Sequence, residues 1–443
     1  MERELELARH VVDLAIRAGA HEAEASYTVS QRFSTEARGD LIAKLEQSVS
    51  RQLGLRVFRS HAKATLATTD LSEEGLLGFV GEVVDAARFA EGDVYGGLPD
   101  ALPPDASDAG LFMYAQDVSE RPARAKMGDA LELESIARAI DSRIVNSGGS
   151  RVADSTQLTA LANSNGLAAA YRTSHASIVA APIAVDGAAK VAGSYRAASR
   201  SYATLEAVGA VASKAARRAL GMLGARKPAT MKCAVIFERD VAAAVLADIF
   251  NAISAENVAA GNSFLSDRIG ERVGSDRVTI VDDGRLPFCL GTSPFDAEGV
   301  PTGRHVVLDR GTLRTFLYDT YYARKLGSAS TGNASAGGIG PNNFYLEPGE
   351  RSLEDLVAAT ARGVLVMDTI GFSTEYVTGT YSRGARGYYV ENGEIAYPID
   401  EFTVAGNLTG MLAAVDAVAN DLAFDQTIVS PSFRVAEMTV SGT

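Results

Sequence analysis

The chain has 443 residues, 55 acidic against 42 basic side chains for a net charge of −13, 47% hydrophobic residues, 7% aromatic residues and no Trp. This composition excludes a disordered chain and supports cores built from Ala, Val, Leu and Ile, at a length that suggests two or three domains of about 150 residues. The acidic balance, without a Lys/Arg run, argues against direct DNA binding. Cys233 and Cys289 are too few for a disulfide framework or a Cys-based zinc site, and read as buried thiols in a reducing compartment.

The opening "MERELELARHVVDLAIRAGA" has acidic residues at once and an interrupted apolar stripe through Leu5, Val12, Leu14 and Ile16. It reads as a first helix rather than a cleavable signal. The most apolar segment, "ASIVAAPIAV", is half of the roughly 20 residues a membrane span needs, so a soluble, cytoplasmic protein is expected. Ala23, Ala25, Tyr27 and Val29 then alternate as in a strand, and "RQLGLRVFRS" and "AKATLATT" continue the strands. "DLSEEGLLGFVGEVVDAARFA" predicts a helix with Asp70 at its cap and Glu73 three residues on.

Residues 91–110, "EGDVYGGLPDALPPDASDAG", have no period and read as an acidic, flexible surface excursion or linker. A helix over "RAKMGDALELESIARAI" precedes a predicted strand meander over 151–201, broken by the turns "NSNG" and "VDGA". After the amphipathic helix "LEAVGAVASKAARRALGML", the stretch "GARKPAT" marks a boundary near Lys227. Residues 1–226 are thus read as an N-terminal α/β domain and 227–443 as a β-rich C-terminal domain, an α+β chain overall.

The second half opens on a helix containing "LADIFN", where Leu246, Ile249, Phe250 and Ile253 form a buried stripe and Asp248 and Asn251 face elsewhere. Hairpins are predicted at Asp309 to Gly311 and at Asn392-Gly393. The loop "STGNASAGGIGPNN", 330–343, has the glycine density of a phosphate cradle but no GxxxxGK[ST], no GxGxxG opening a helix and no Lys. It reads as a shaped loop lining a cavity or an interface.

Asp282-Asp283 and the pair Asp296 and Glu298 could hold a hard cation or act as acid and base. Each pair is followed directly by Gly, which favours acids in turns at strand ends. The histidines, at 10, 21, 61, 175 and 305, have no zinc-ligand spacing, and neither GxSxG nor a catalytic-Cys signature occurs. Over 379–408, Tyr381, Arg383, Arg386, Tyr388 and Tyr389 offer either a strand edge able to grip an extended peptide or a half-buried Tyr-rich strand with solvated Arg.

"SFLSDRIGERV", "TIVDDGRLPFCLGTSPFDAEGVPT", "LYDTYYARKLGSASTGNAS", "GTYSRGARGYYVENGEIAYPIDEFTVAGNL" and "FRVAEMTVSGT" occur in that order over 230–443. Together they resemble the TldD/PmbA family, and specifically its PmbA (TldE) branch; residues 1–226 resemble it in layout, with looser motifs. The resemblance implies a cytoplasmic TldD/TldE metalloprotease that cleaves unfolded or short peptides. Its TldD-type subunit carries HExxxH on a helix and a later Cys, which supply zinc ligands and a general base.

By that resemblance the HExxxH positions fall on Leu246, Ala247 and Asn251 of this chain, and the segment that would carry the Cys is the short "DQTIV". The resemblance therefore implies a non-catalytic subunit with no metal or cofactor of its own. Zinc is expected in a TldD-type partner, joined in a heterodimer, with self-association as the other possibility, and peptides are the expected substrates. Thr331, Asn333, Tyr381, Ser382, Arg383 and Arg386 are the candidates for the peptide chamber or partner interface. The family's description as a modulator of DNA gyrase fits this chain only indirectly, through proteolysis. The competing readings are a stand-alone metal-dependent hydrolase using Asp282, Asp283, Asp296 and Glu298, and a homodimeric peptide-binding or scaffold protein.

Overall fold

The computed structural model describes residues 1–100, 109–371 and 374–442. Its opening helix, Glu2–Arg17, buries Ala8, Val11, Val12 and Ala15, the i, i+3, i+4, i+7 stripe that fits a helix to a sheet. That sheet is antiparallel and six-stranded, in the order Ala62–Thr68, Leu41–Arg59, Glu22–Arg38, Ser150–Asn163, Ala168–Ala180, Tyr195–Ser199. Ala23, Ala25 and Tyr27 join Leu53, Leu55 and Val57 beneath Glu2–Arg17 and the helix Glu73–Phe89. Toward the other end, Ala37, Val152 and Ile178 lie beneath the helices Ala123–Ala139 and Val208–Gly221. Successive strand residues point to opposite faces, so Glu24, Ser26 and Thr28 are turned away from this helical layer.

Two local expectations need correction. Ser72, not Asp70, caps Glu73–Phe89: its Oγ accepts from the Gly75 N–H at 3.2 Å, and Asp70 Oδ1 accepts from that hydroxyl at 2.8 Å. The meander over 151–201 is also interrupted. Pro182–Asp186 and Ala189–Ala192 leave the large sheet and form a three-stranded sheet with Ile144–Ser147. Pro182 stands at the departure, where its missing N–H withholds a ladder bond.

In the second half, Met231–Phe237 runs parallel to Arg362–Ile370 and antiparallel to Phe433–Ser441. Thr380–Glu391 and Glu394–Asn407 complete the path between those two partners, so five strands close on themselves. The helix Arg239–Ile253 packs its Val245, Leu246, Ile249 and Ile253 into the same core as Val235, Phe237, Tyr381 and Val404. A further five-stranded sheet is ordered Thr312–Leu313, Arg304–Asp309, Ile280–Asp283, Phe344–Leu346, Ile428–Val429. Both predicted hairpin turns form, with φ of 45° and 80° at Arg310 and Gly311 and of 52° and 82° at Asn392 and Gly393, the left-handed pair of a type I′ turn. No helix among the described residues is long and apolar enough to cross a membrane.

Candidate functional site

The polar face of the six-stranded sheet and the loops of the second half enclose a cavity of about 1100 Å³. Glu24, Ser26 and Thr28 contribute from one strand, Gly54, Arg56 and Phe58 from its neighbour, and Asp296, Glu298, Asn333 and Asn342 from the loops opposite. The alternation that buries Ala23, Ala25 and Tyr27 under helices thus presents the intervening side chains to the cavity.

Arg56 is the charged centre of that wall. Its Nη2 lies 2.7 Å from Glu24 Oε1, directly across the strand pair, and its Nη1 lies 3.0 Å from Glu298 Oε1. Glu298 Oε2 also accepts from the Thr320 N–H at 2.9 Å, so Arg56 and Glu298 join the N-terminal sheet to a loop and to the start of the helix Thr320–Lys325 in the second half. Burial pushes the Glu24 carboxyl up to about 7, against the pull of Arg56.

The four acids singled out from the sequence do not gather as a metal site. Asp296 Oδ1 accepts from the N–H groups of Glu298 and Val300 at 2.8 and 2.9 Å, and its Oδ2 from that of Ala334 at 2.9 Å. Asp282 accepts from Asn342 N at 2.9 Å, Asn342 Nδ2 at 3.0 Å and Asn333 Nδ2 at 2.8 Å. Asp283 accepts from the Arg285 N–H at 2.8 Å. Burial raises Asp282 to about 6 and Asp296 to about 8. Their oxygens are engaged in shaping loops, which matches the turn-acid reading. Among the described residues, no three His, Cys, Asp or Glu side chains are grouped to hold a metal ion.

The six chamber candidates separate. Asn333 lines the cavity. Thr331 is buried beside it, with its hydroxyl accepting from Tyr318 N at 2.8 Å and donating to Tyr318 O at 3.1 Å. Tyr381, Ser382, Arg383 and Arg386 lie elsewhere, on the strand Thr380–Glu391. That strand is paired on both sides, so it has no free edge on which a peptide could add. Tyr381 and Arg383 point inward, whereas Arg386, three residues further on, lies on the other face of the strand and pairs with Asp368 at 2.6 Å. Arg386 borders a separate pocket of about 280 Å³.

Arg383 instead reaches the helix Arg239–Ile253. Its Nη2 lies 2.7 Å from Asp248 Oδ2, both side chains being buried, while Thr374 Oγ1 and Tyr376 Oη each donate to the same carboxylate at 3.0 Å. Asn251 Nδ2 donates to Tyr376 Oη at 3.1 Å. Asp248 and Asn251 do leave the apolar stripe, but they face a buried polar cluster rather than solvent. A zinc ion does not fit here: Leu246 is core, Ala247 has no donor atom, and Asp248 is neutralised by Arg383. Burial also pushes Cys233 and Cys289 up to about 11, which leaves both as thiols near neutral pH.

Residues 91–100 are not a detached linker. Asp93 Oδ2 accepts from Tyr321 Oη at 2.6 Å, Leu98 N donates to Glu22 Oε2 at 3.1 Å, and Leu98 O accepts from Arg324 Nη2 at 2.6 Å. Leu98 is buried, and Asp93, Gly96 and Gly97 line the cavity. Residues 101–108, the rest of the Pro-rich stretch, lie outside the described residues. Glu24 and Arg56 were not singled out from the sequence. The available signal was their placement between apolar residues of two strands, Ala23 and Ala25 in one, Leu55 and Val57 in the other.

Residues 230–442 match the PmbA/TldA metallopeptidase C-terminal domain, and residues 116–223 the PmbA/TldA metallopeptidase central domain. The chain is 34% identical to the Metalloprotease PmbA homolog of Haemophilus influenzae over 97% of its own length and 94% of that protein. It is 32% identical to Metalloprotease PmbA of Escherichia coli O157:H7, covering 95% and 92% of the two chains. A solved Bacteroides thetaiotaomicron structure, named as a candidate modulator of DNA gyrase, superposes with a TM-score of 0.93 at 26% identity over 100% of both chains. TldE from Thermococcus kodakarensis shares the fold, with a TM-score of 0.90 at 20% identity over 98% of this chain and 100% of that one. Matched over nearly its whole length by PmbA relatives, the chain belongs to the PmbA/TldD metallopeptidase family.

Proposed function

We propose that this chain is the non-catalytic, PmbA/TldE-type subunit of a TldD/TldE metalloprotease that processes unfolded peptides. Zinc and the catalytic base come from a TldD-type partner. The observation that supports this reading best is the helix Arg239–Ile253: where the resemblance puts HExxxH, it has Leu246, Ala247 and Asn251, with Asp248 tied to Arg383. The chain's role is to complete a peptide chamber, for which its cavity of about 1100 Å³ is the candidate region. Two unpaired thiols suit the cytoplasm, and any influence on gyrase is indirect.

The test is to co-express the chain with an HExxxH-bearing homologue and to assay peptide cleavage by each chain and by the pair. Cleavage by the pair alone is expected, with stoichiometric zinc only in the partner. Stoichiometric zinc and chelator-sensitive cleavage in this chain by itself would sink the proposal. The carboxylate-hydrolase alternative predicts lost activity with an intact fold in Asp296→Ala and Glu298→Ala; loop distortion is the expected result, since Asp296 accepts three backbone N–H groups.

A further inference from the structure

We infer that the cavity receives a cationic group of a peptide, an ammonium or a guanidinium, at Glu24 on its sheet wall, with Asn333 on the loops opposite as a second open acceptor; this rests on the peptide-handling role proposed above. Two independent observations carry it. Acidic residues outnumber Arg and Lys on the cavity lining by seven to two among the described residues, and with Glu24 and Asp296 protonated the balance is still five to two, a field that concentrates cations. Within that lining, Glu24 Oε2 and Asn333 Oδ1 are buried acceptors with no hydrogen-bond partner among the described residues, in side chains only 4% and 2% exposed.

Both acceptors are held in place through their other ends. Glu24 is fixed by Arg56 at Oε1, and Asn333 donates its amide to Asp282 Oδ2 at 2.8 Å and Gly340 O at 3.0 Å. Fixed acceptors without donors favour a ligand that brings N–H groups. An anion would face two acceptors and an acidic wall, and an apolar group would leave both acceptors unsatisfied. Arg56 Nε, a donor also without a partner among the described residues, suits a peptide carbonyl beside the cation. Glu24 is faced by Arg56 from the neighbouring strand and by Glu298 from the loop opposite; His61 and Lys63 are the other basic side chains of the lining.

The test uses the full chain alone and two dye-labelled, N-acetylated octapeptides that differ only in an internal lysine or norleucine, titrated by fluorescence anisotropy. At least tenfold tighter binding of the lysine peptide is expected, with that preference lost in Glu24→Gln. Thr28→Lys, which puts a positive charge on the same sheet face, should lose it too, so the result does not depend on one variant folding. Equal binding of both peptides overturns the inference and leaves the peptide-handling role standing. If n-butylamine raises the melting temperature of the wild type but not of Glu24→Gln while neither peptide binds, the cation site stands and the peptide role fails. No binding of peptides or n-butylamine overturns the cation site.

Discussion

Two buried ion-pair clusters of this chain differ in one respect. On the helix Arg239–Ile253, the two oxygens of Asp248 meet Arg383, Thr374 and Tyr376, so that carboxylate has no acceptor left open. On the cavity wall, Arg56 holds one oxygen of Glu24 and one of Glu298, but Glu24 Oε2 has no partner among the described residues. A buried carboxylate with both oxygens engaged is a structural clamp, whereas an unsatisfied acceptor at a cavity is an invitation to a donor. The resemblance draws attention to the first cluster, because the family's metal helix falls there; the physical chemistry points to the second.

Breaking the saturated cluster should give the largest effect. Asp248→Ala strands a buried guanidinium and is expected to destabilise the fold by about 3–5 kcal/mol, whereas the double change Asp248→Leu with Arg383→Met should recover most of that loss. Urea unfolding checks both; a single-variant loss below about 1 kcal/mol would show that the pair is no clamp. Arg56→Met should destabilise by about 2 kcal/mol at pH 8, where Glu24 is left as a buried carboxylate without its partner. The same substitution should matter less at pH 5.5, where Glu24, raised to about 7 by burial, holds its proton.

A pH scan sharpens the contrast further. Glu24, Asp282 and Asp296 hold their protons in the fold up to about 7, 6 and 8, but only to about 4 when unfolded. Between those limits the native state carries more protons, so their contribution is fully present below about pH 4 and is lost as pH rises toward about 8. Asp141, held down to about 2 by its hydrogen bonds with Arg143, acts in the opposite sense below about pH 4. Melting temperatures should therefore peak near pH 4 and decline toward about pH 8, and Glu24→Gln should flatten the decline between about pH 4 and 7. A curve unchanged by Glu24→Gln would mean that this carboxyl titrates in the ordinary range. The smallest effect is expected at Arg386: its pair with half-exposed Asp368 should contribute within about 0.5 kcal/mol by double-mutant cycle.

Much of the fold was legible because it is local. The stripe of Glu2–Arg17, the alternation from Ala23, the left-handed turns at Gly311 and Gly393 and the apolar side of Arg239–Ile253 all repeat within a few residues. Where the structure departs from the expectation, a neighbour distant in sequence decided. Pairing on both sides of Thr380–Glu391 removes the edge expected there. Asn333 could be found from its glycine-rich loop; for Arg56 the place between Leu55 and Val57 was the signal, but its partner Glu298 could not be found, lying 242 positions along the chain.

By itself the sequence determined the α+β composition, the main helices and hairpins, and the absence of HExxxH, because residue type and short-range period are written in it directly. Only the tertiary structure decided which polar side chains are satisfied. It turned Asp282 and Asp296 into loop braces, joined Asp248 to Arg383, and placed Glu24 at a cavity with an oxygen unmatched. Hydrogen-bond satisfaction depends on atoms brought within about 3 Å by folding, and no spacing along a single chain encodes that.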